Sequence, residues 1–172
     1  MRNMLGILTV LTGIFIANAC QKDASYPAEP QISLNSYSFV DTLDPNVSQV
    51  KEKRLTISLH FTDGDGDLFT PNVSKDSTDL RAKIHLLFYK KENGVFTLVP
   101  DLFWSTPYNF NLPYSDVMER NGQNKTQKGT IDFNIMFLPY FPFDTCQVEC
   151  FITDLANHQS NKVRLPKELV FN

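Results

Sequence analysis

Asp63, Asp65 and Asp67 occupy alternate positions in Asp63-Gly64-Asp65-Gly66-Asp67, directly after a run of alternating apolar and polar residues. The two glycines between them let the backbone fold tightly enough for three carboxylates to face one point. The chemistry they suit is capture of a hard cation. Calcium takes about six to eight oxygens at about 2.4 Å, and clustered aspartates with backbone carbonyls supply them. Left without a cation, three close carboxylates repel one another. The loop is not an EF-hand, because Leu68 stands at the glycine position and Ser74 at that of the bidentate glutamate. A plain acidic turn, with Asp-Gly pairs serving backbone geometry, is the competing account of the same residues.

A second acidic segment, Thr153-Asp154-Leu155-Ala156-Asn157-His158, follows another strand-like stretch. If successive strands of a sandwich alternate in direction, the loop after the second strand and the loop before the last share one pole. Asp154 and the Asn157 amide then join Asp63, Asp65 and Asp67 as a candidate calcium site. Glu29, just before the first strand, and Asp116 or Glu119 in a long connection come from the same end. This arrangement resembles cadherin-like modules, whose acidic ligands come from sequence-distant loops at one pole. The resemblance implies an ion that stiffens loops and performs no chemistry.

The elements that must position these residues read as strands. Leu55, Ile57, Leu59 and Phe61 alternate with Thr56, Ser58, His60 and Thr62, one face apolar and the other polar. Ile84, Leu86 and Phe88 repeat the pattern, as do Ile131, Phe133, Ile135 and Phe137. Ile32 to Val40 opens the series, and Cys146 to Ile152 and Val163 to Phe171 close it, with Pro166 marking the last as an edge or an interrupted strand. Glu92-Asn93-Gly94 predicts a tight hairpin leading into Val95 to Val99. Residues 100–128 lack periodicity and read as irregular. About seven short strands with no helical pattern predict an all-β, immunoglobulin-like antiparallel β-sandwich, with a β-barrel as the alternative.

Trp104, Tyr108, Phe110 and Tyr114 suit a sugar-stacking platform, while packing across the sandwich edge is the competing use of such rings. Cys146 and Cys150 share one strand face at a separation of about 13 Å, too far for a disulfide, and read as buried thiols. His60, His85 and His158 read as ordinary surface histidines with no nucleophile beside them. No nucleophile elbow, zinc-protease helix, phosphate loop or dinucleotide glycine pattern occurs, so a non-enzymatic protein is expected.

The N-terminus addresses location. Arg2 precedes a charge-free apolar run, Met4 to Ala17, far shorter than the roughly 20 residues that span a bilayer. Ala17-Asn18-Ala19-Cys20 resembles the lipobox of bacterial lipoproteins, with alanine where leucine is usual. That resemblance implies removal of residues 1–19 as a signal peptide and a covalent lipid on Cys20. Residues 20–30 then form a lipidated tether and residues 31–172 the domain. The processed chain keeps 15 Lys+Arg against 19 Asp+Glu, an acidic balance that disfavours nucleic-acid binding. Asn46, Asn72 and Asn124 match a eukaryotic glycosylation sequon that has no meaning in a bacterial host.

Taken together, the chain resembles small uncharacterised lipoproteins of the Bacteroidota. The likeness rests on Cys20, on Phe61-Thr62-Asp63-Gly64-Asp65-Gly66-Asp67-Leu68, on Gly122-Gln123-Asn124-Lys125 with Lys128-Gly129, and on Asp154 to Asn161. Phe69 stands where the group more usually has glycine. Gln21-Lys22-Asp23 resembles the signal for display on the outer face of the outer membrane, with a periplasm-facing domain as the alternative. Asp41-Thr42-Leu43 and Asp76-Ser77-Thr78 resemble the phylum's O-glycosylation acceptors and are expected in loops. The resemblance implies a membrane partner through the lipid and an unidentified protein or glycan ligand. It implies no particular activity.

Overall fold

Alternation with a period of two buries one face of each long strand, and two such faces closing on each other make the core. The computed structural model describes residues 26–43, 51–68, 82–99, 108–112, 126–137 and 141–171. Strands β1 (Gln31–Leu43), β2 (Lys51–Asp63) and β6 (Gln127–Phe137) form one antiparallel sheet in the order β1-β2-β6. The second contains β3 (Lys83–Glu92), β4 (Val95–Leu98), β5 (Tyr108–Asn111), β7 (Thr145–Thr153), β8 (Val163–Arg164) and β9 (Leu169–Val170). Its order is β4-β3-β7-β8, with β5 also on β3 and β9 also on β7. With β1, β2 and β6 in one sheet against β3, β7 and the final short strands in the other, the division matches that of an immunoglobulin-like sandwich.

The two sheets share Leu55, Ile57, Leu59, Ile84, Leu86, Val148 and Ile152 as a fully enclosed core. A bulge between Leu34 and Ser36 shifts the register of β1 on β2. It lets Ile32 and Leu34 face inward before it, and Tyr37 and Phe39 after it. Asn93 and Gly94 take φ of 50° and 81°, the positive pair of a two-residue hairpin, and Glu92 pairs with Val95. Cys146 and Cys150 are free, buried thiols, and burial pushes both up to about 12, which leaves them unreactive as nucleophiles.

Two sequence expectations change. Tyr108 to Asn111, expected as irregular chain, forms β5 by pairing with Lys83 to Leu86. Here the neighbouring strand decides what local sequence leaves open. The final strand is interrupted at Pro166, as expected, into β8 and β9, which pair separately with β7. Asp41, Thr42 and Leu43 finish β1 opposite Lys53, Glu52 and Lys51 and so lie in a strand instead of a loop. Asp76 to Thr78 lie outside the described residues.

Candidate metal centre

Asp63 is the last residue of β2 and continues the odd-numbered, inward-facing series Leu55, Ile57, Leu59, Phe61. A carboxylate is thereby placed on the core side, with no exposure at all. The chain then turns sharply. A Cβ on Gly64 would lie 2.3 Å from the carbonyl oxygens of both Tyr26 and Pro27, so only glycine fits beneath that segment. Gly66 adopts φ 72°, and the loop folds back so that the amides of Asp67 and Leu68 donate to Asp63 Oδ2 at 3.0 and 3.1 Å. Leu68, 3 % exposed, plugs into the core and fixes the far side of the turn.

The loop after β7 comes to the same pole. Asp154 is buried, and its Oδ1 accepts from the His158 amide at 2.7 Å. Asp154 Oδ2 lies 3.0 Å from His158 Nδ1. Asn157 takes the left-handed φ of 66°, and its amide donates to the Asp154 carbonyl at 3.2 Å. The two loops are joined where the Ala156 amide donates to Asp67 Oδ2 at 3.0 Å. One ligand oxygen from each of Asp63, Asp65, Asp67 and Asp154 then lies within 4.8 Å of all the others.

Polar accounting shows what this cluster lacks. Asp63 Oδ1, Asp65 Oδ1 and Asp67 Oδ1 are enclosed and have no hydrogen-bond partner among the described residues. Buried polar atoms in folded proteins are nearly always satisfied, and three neighbouring carboxylate oxygens left over are a costly exception. Burial, followed by the Asp65 and Asp67 charges, pushes Asp63 up to about 7. Burial and the charges of Asp154 and Asp65 push Asp67 up to about 6. The Asp154 carboxylate in turn raises His158 above its ordinary value. Four carboxylates with three unspent oxygens could hold a metal ion, as could the overlapping group Asp65, Asp154 and His158, and the all-carboxylate group suits a hard ion.

The structure thus brings together Asp63, Asp65, Asp67 and Asp154. Asn157 is exposed in the same turn, and what it supplies there is backbone geometry. His158, expected as an ordinary surface histidine, joins the cluster. Its Nδ1 also lies 3.8 Å from Asp65 Oδ2, and the Asp154-to-His158 spacing across a four-residue turn was the available signal. Glu29 is exposed and near enough for its charge to help raise His158. Asp116, Glu119, Cys20 and Trp104 lie outside the described residues.

The aromatic platform expected around β5 is divided between two environments. Phe110 packs inward on Phe133 with centroids 5.2 Å apart, whereas Tyr108 is 39 % exposed. His85 is no ordinary surface histidine. Its Nδ1 meets Asn109 Oδ1 at 2.5 Å, its Nε2 meets Thr153 Oγ1 at 2.6 Å, and its ring stacks on Phe151 at 4.4 Å. Burial lowers its pKa. Comparison with protein-family models, with curated proteins and with solved structures found no match.

Proposed function

We propose that this chain is a cell-envelope lipoprotein, held in the outer membrane by lipid on Cys20 and displayed at the cell surface. Its β-sandwich serves as a non-enzymatic binding or structural module for a protein or glycan partner, and calcium stiffens the pole built by Asp63, Asp65, Asp67 and Asp154. The observation that carries the calcium reading is the set of three enclosed carboxylate oxygens without partners, beside a fourth carboxylate from another loop. The meeting of four carboxylates and the full burial of Asp63 favour calcium over softer ions. The support for the anchor is the small-residue junction before Cys20 and the polar residues after it. Several acyl chains, as on mature bacterial lipoproteins, make such an anchor firm where one chain is marginal.

Isothermal titration of the metal-stripped protein with calcium tests the site. A saturable heat with about one ion per chain is expected, and it should vanish in Asp65→Ala. The absence of any heat at millimolar calcium would remove the calcium reading. A second reading, a carbohydrate-binding accessory lipoprotein, draws on the exposed Tyr108 together with Trp104. Sugar binding on a glycan array, lost in Trp104→Ala, would favour it.

A further inference from the structure

The metal loop also carries the segment that leads into the domain. Gly64 sits between two of the four carboxylate residues, and its amide donates to the Pro27 carbonyl at 2.9 Å. The carbonyl oxygens of Tyr26 and Pro27 both occupy the space where a Cβ on Gly64 would project. From Pro30 onward the chain is held by other means. Pro30 is fully buried, Gln31 pairs with Thr62, and the Asn161 side chain bridges Ile32 by accepting from its amide at 2.8 Å and donating to its carbonyl at 2.9 Å. Tyr26, Pro27 and Glu29 are exposed, and among the described residues no such bridge holds them. Pro27 lacks an N–H and enters no ladder, so its carbonyl is what it offers the domain.

Where residues 26–29 sit therefore depends on where Gly64 sits, and Gly64 is fixed by the carboxylates on either side of it. With the enclosed oxygens of Asp63, Asp65 and Asp67 uncompensated, repulsion is relieved most easily at Asp65, which is half-exposed and can turn to water. A cation holding the same oxygens inward would remove that freedom and keep Gly64 against the Pro27 carbonyl.

We infer that an ion at this pole clamps residues 26–29 onto the domain, so that calcium governs how rigidly the sandwich is joined to its anchor. The inference rests on the calcium reading and adds to it a regulatory role. Cys20 lies seven residues before Pro27, and seven extended residues span at most about 25 Å. Clamping residues 26–29 brings the point of attachment to the domain closer along the chain to that cysteine.

Residue-resolved amide exchange on the purified chain, with calcium and after stripping, tests this beside calorimetric titration. Calcium should slow exchange at Gly64, whose amide donates to Pro27, by about tenfold or more while Leu59, in mid-strand, keeps its protection. In Asp65→Asn, added calcium should leave Gly64 at its stripped rate. In Gly64→Ala, the amide at position 64 should exchange fast at either calcium level while Leu59 stays protected. A calcium heat with unchanged exchange at Gly64 would overturn the clamp and leave the site standing. Slow, calcium-dependent exchange at position 64 in Gly64→Ala would also overturn it. No calcium heat at all would remove the site and the clamp together.

Discussion

The two poles of the sandwich are closed by opposite chemistry. At the end where β2 begins, Phe137 is 4 % exposed and meets Phe39, Phe88, Phe141 and Phe171 at centroid distances of 6.1, 6.0, 4.9 and 5.0 Å. Phe141 stacks on Phe171 at 4.2 Å, and the Phe171 amide donates to the Asp144 carbonyl. Every ring there finds its partners within the chain. At the end where β2 finishes, four carboxylates converge and three of their oxygens find none among the described residues. The same strand thus runs from a pole complete in itself to one that could hold an ion.

The largest effect that would sharpen this contrast belongs to the aromatic pole. Phe137→Ala should cost about 3–5 kcal/mol in urea unfolding, by the same amount in calcium and in chelator. A calcium-dependent cost would mean that the poles are not independent.

Calcium should come next. At a hundredfold excess over its Kd it adds about 2.7 kcal/mol, and the increment should depend on pH. In the stripped protein, Asp63 and Asp67 are pushed up to about 7 and about 6, against an ordinary value of about 3.9. Their protonated forms stabilise the fold fully below about pH 4, and that contribution is lost as pH rises through about 6 to 7. Calcium replaces those protons, so it should raise the melting temperature more at pH 8 than at pH 5. Equal increments at both pH values would contradict the assignment of these two groups.

The smallest effect lies away from both poles. Glu168→Gln removes the 2.7 Å ion pair with Lys91, whose ammonium also lies over the Phe96 ring at 5.4 Å. Both partners are partly exposed, so the loss should stay below about 1 kcal/mol and shrink further in salt.

Much of this was legible in sequence because it is periodic. The alternation from Leu55 to Phe61 places β2 and, carried one step on, puts Asp63 inside; Asn93-Gly94 specifies its hairpin by positive φ alone. Strand count and alternating direction bring the Asp63 and Asp154 loops to one pole. What the sequence left open depends on neighbours. β5 exists because β3 has a free stretch of edge, and the end of the expected tether docks because Gly64 leaves room for two carbonyls. His85 and His158 looked alike as exposed histidines, yet each is placed by partners it meets only in the fold: Thr153 and Phe151 for one, Asp154 and Asp65 for the other.

The most direct test of an ion-dependent acidic pole is the melting temperature of wild type and Asp63→Asn at pH 8, each with calcium and with chelator. In chelator the variant should melt higher. Its side-chain carbonyl can still accept from the Asp67 and Leu68 amides, while the new amide donates to carboxylate oxygens that otherwise lack partners. In calcium the order should reverse, because wild type alone keeps the full set of charges around the ion. A variant that melts below wild type by the same margin in both conditions would contradict the account.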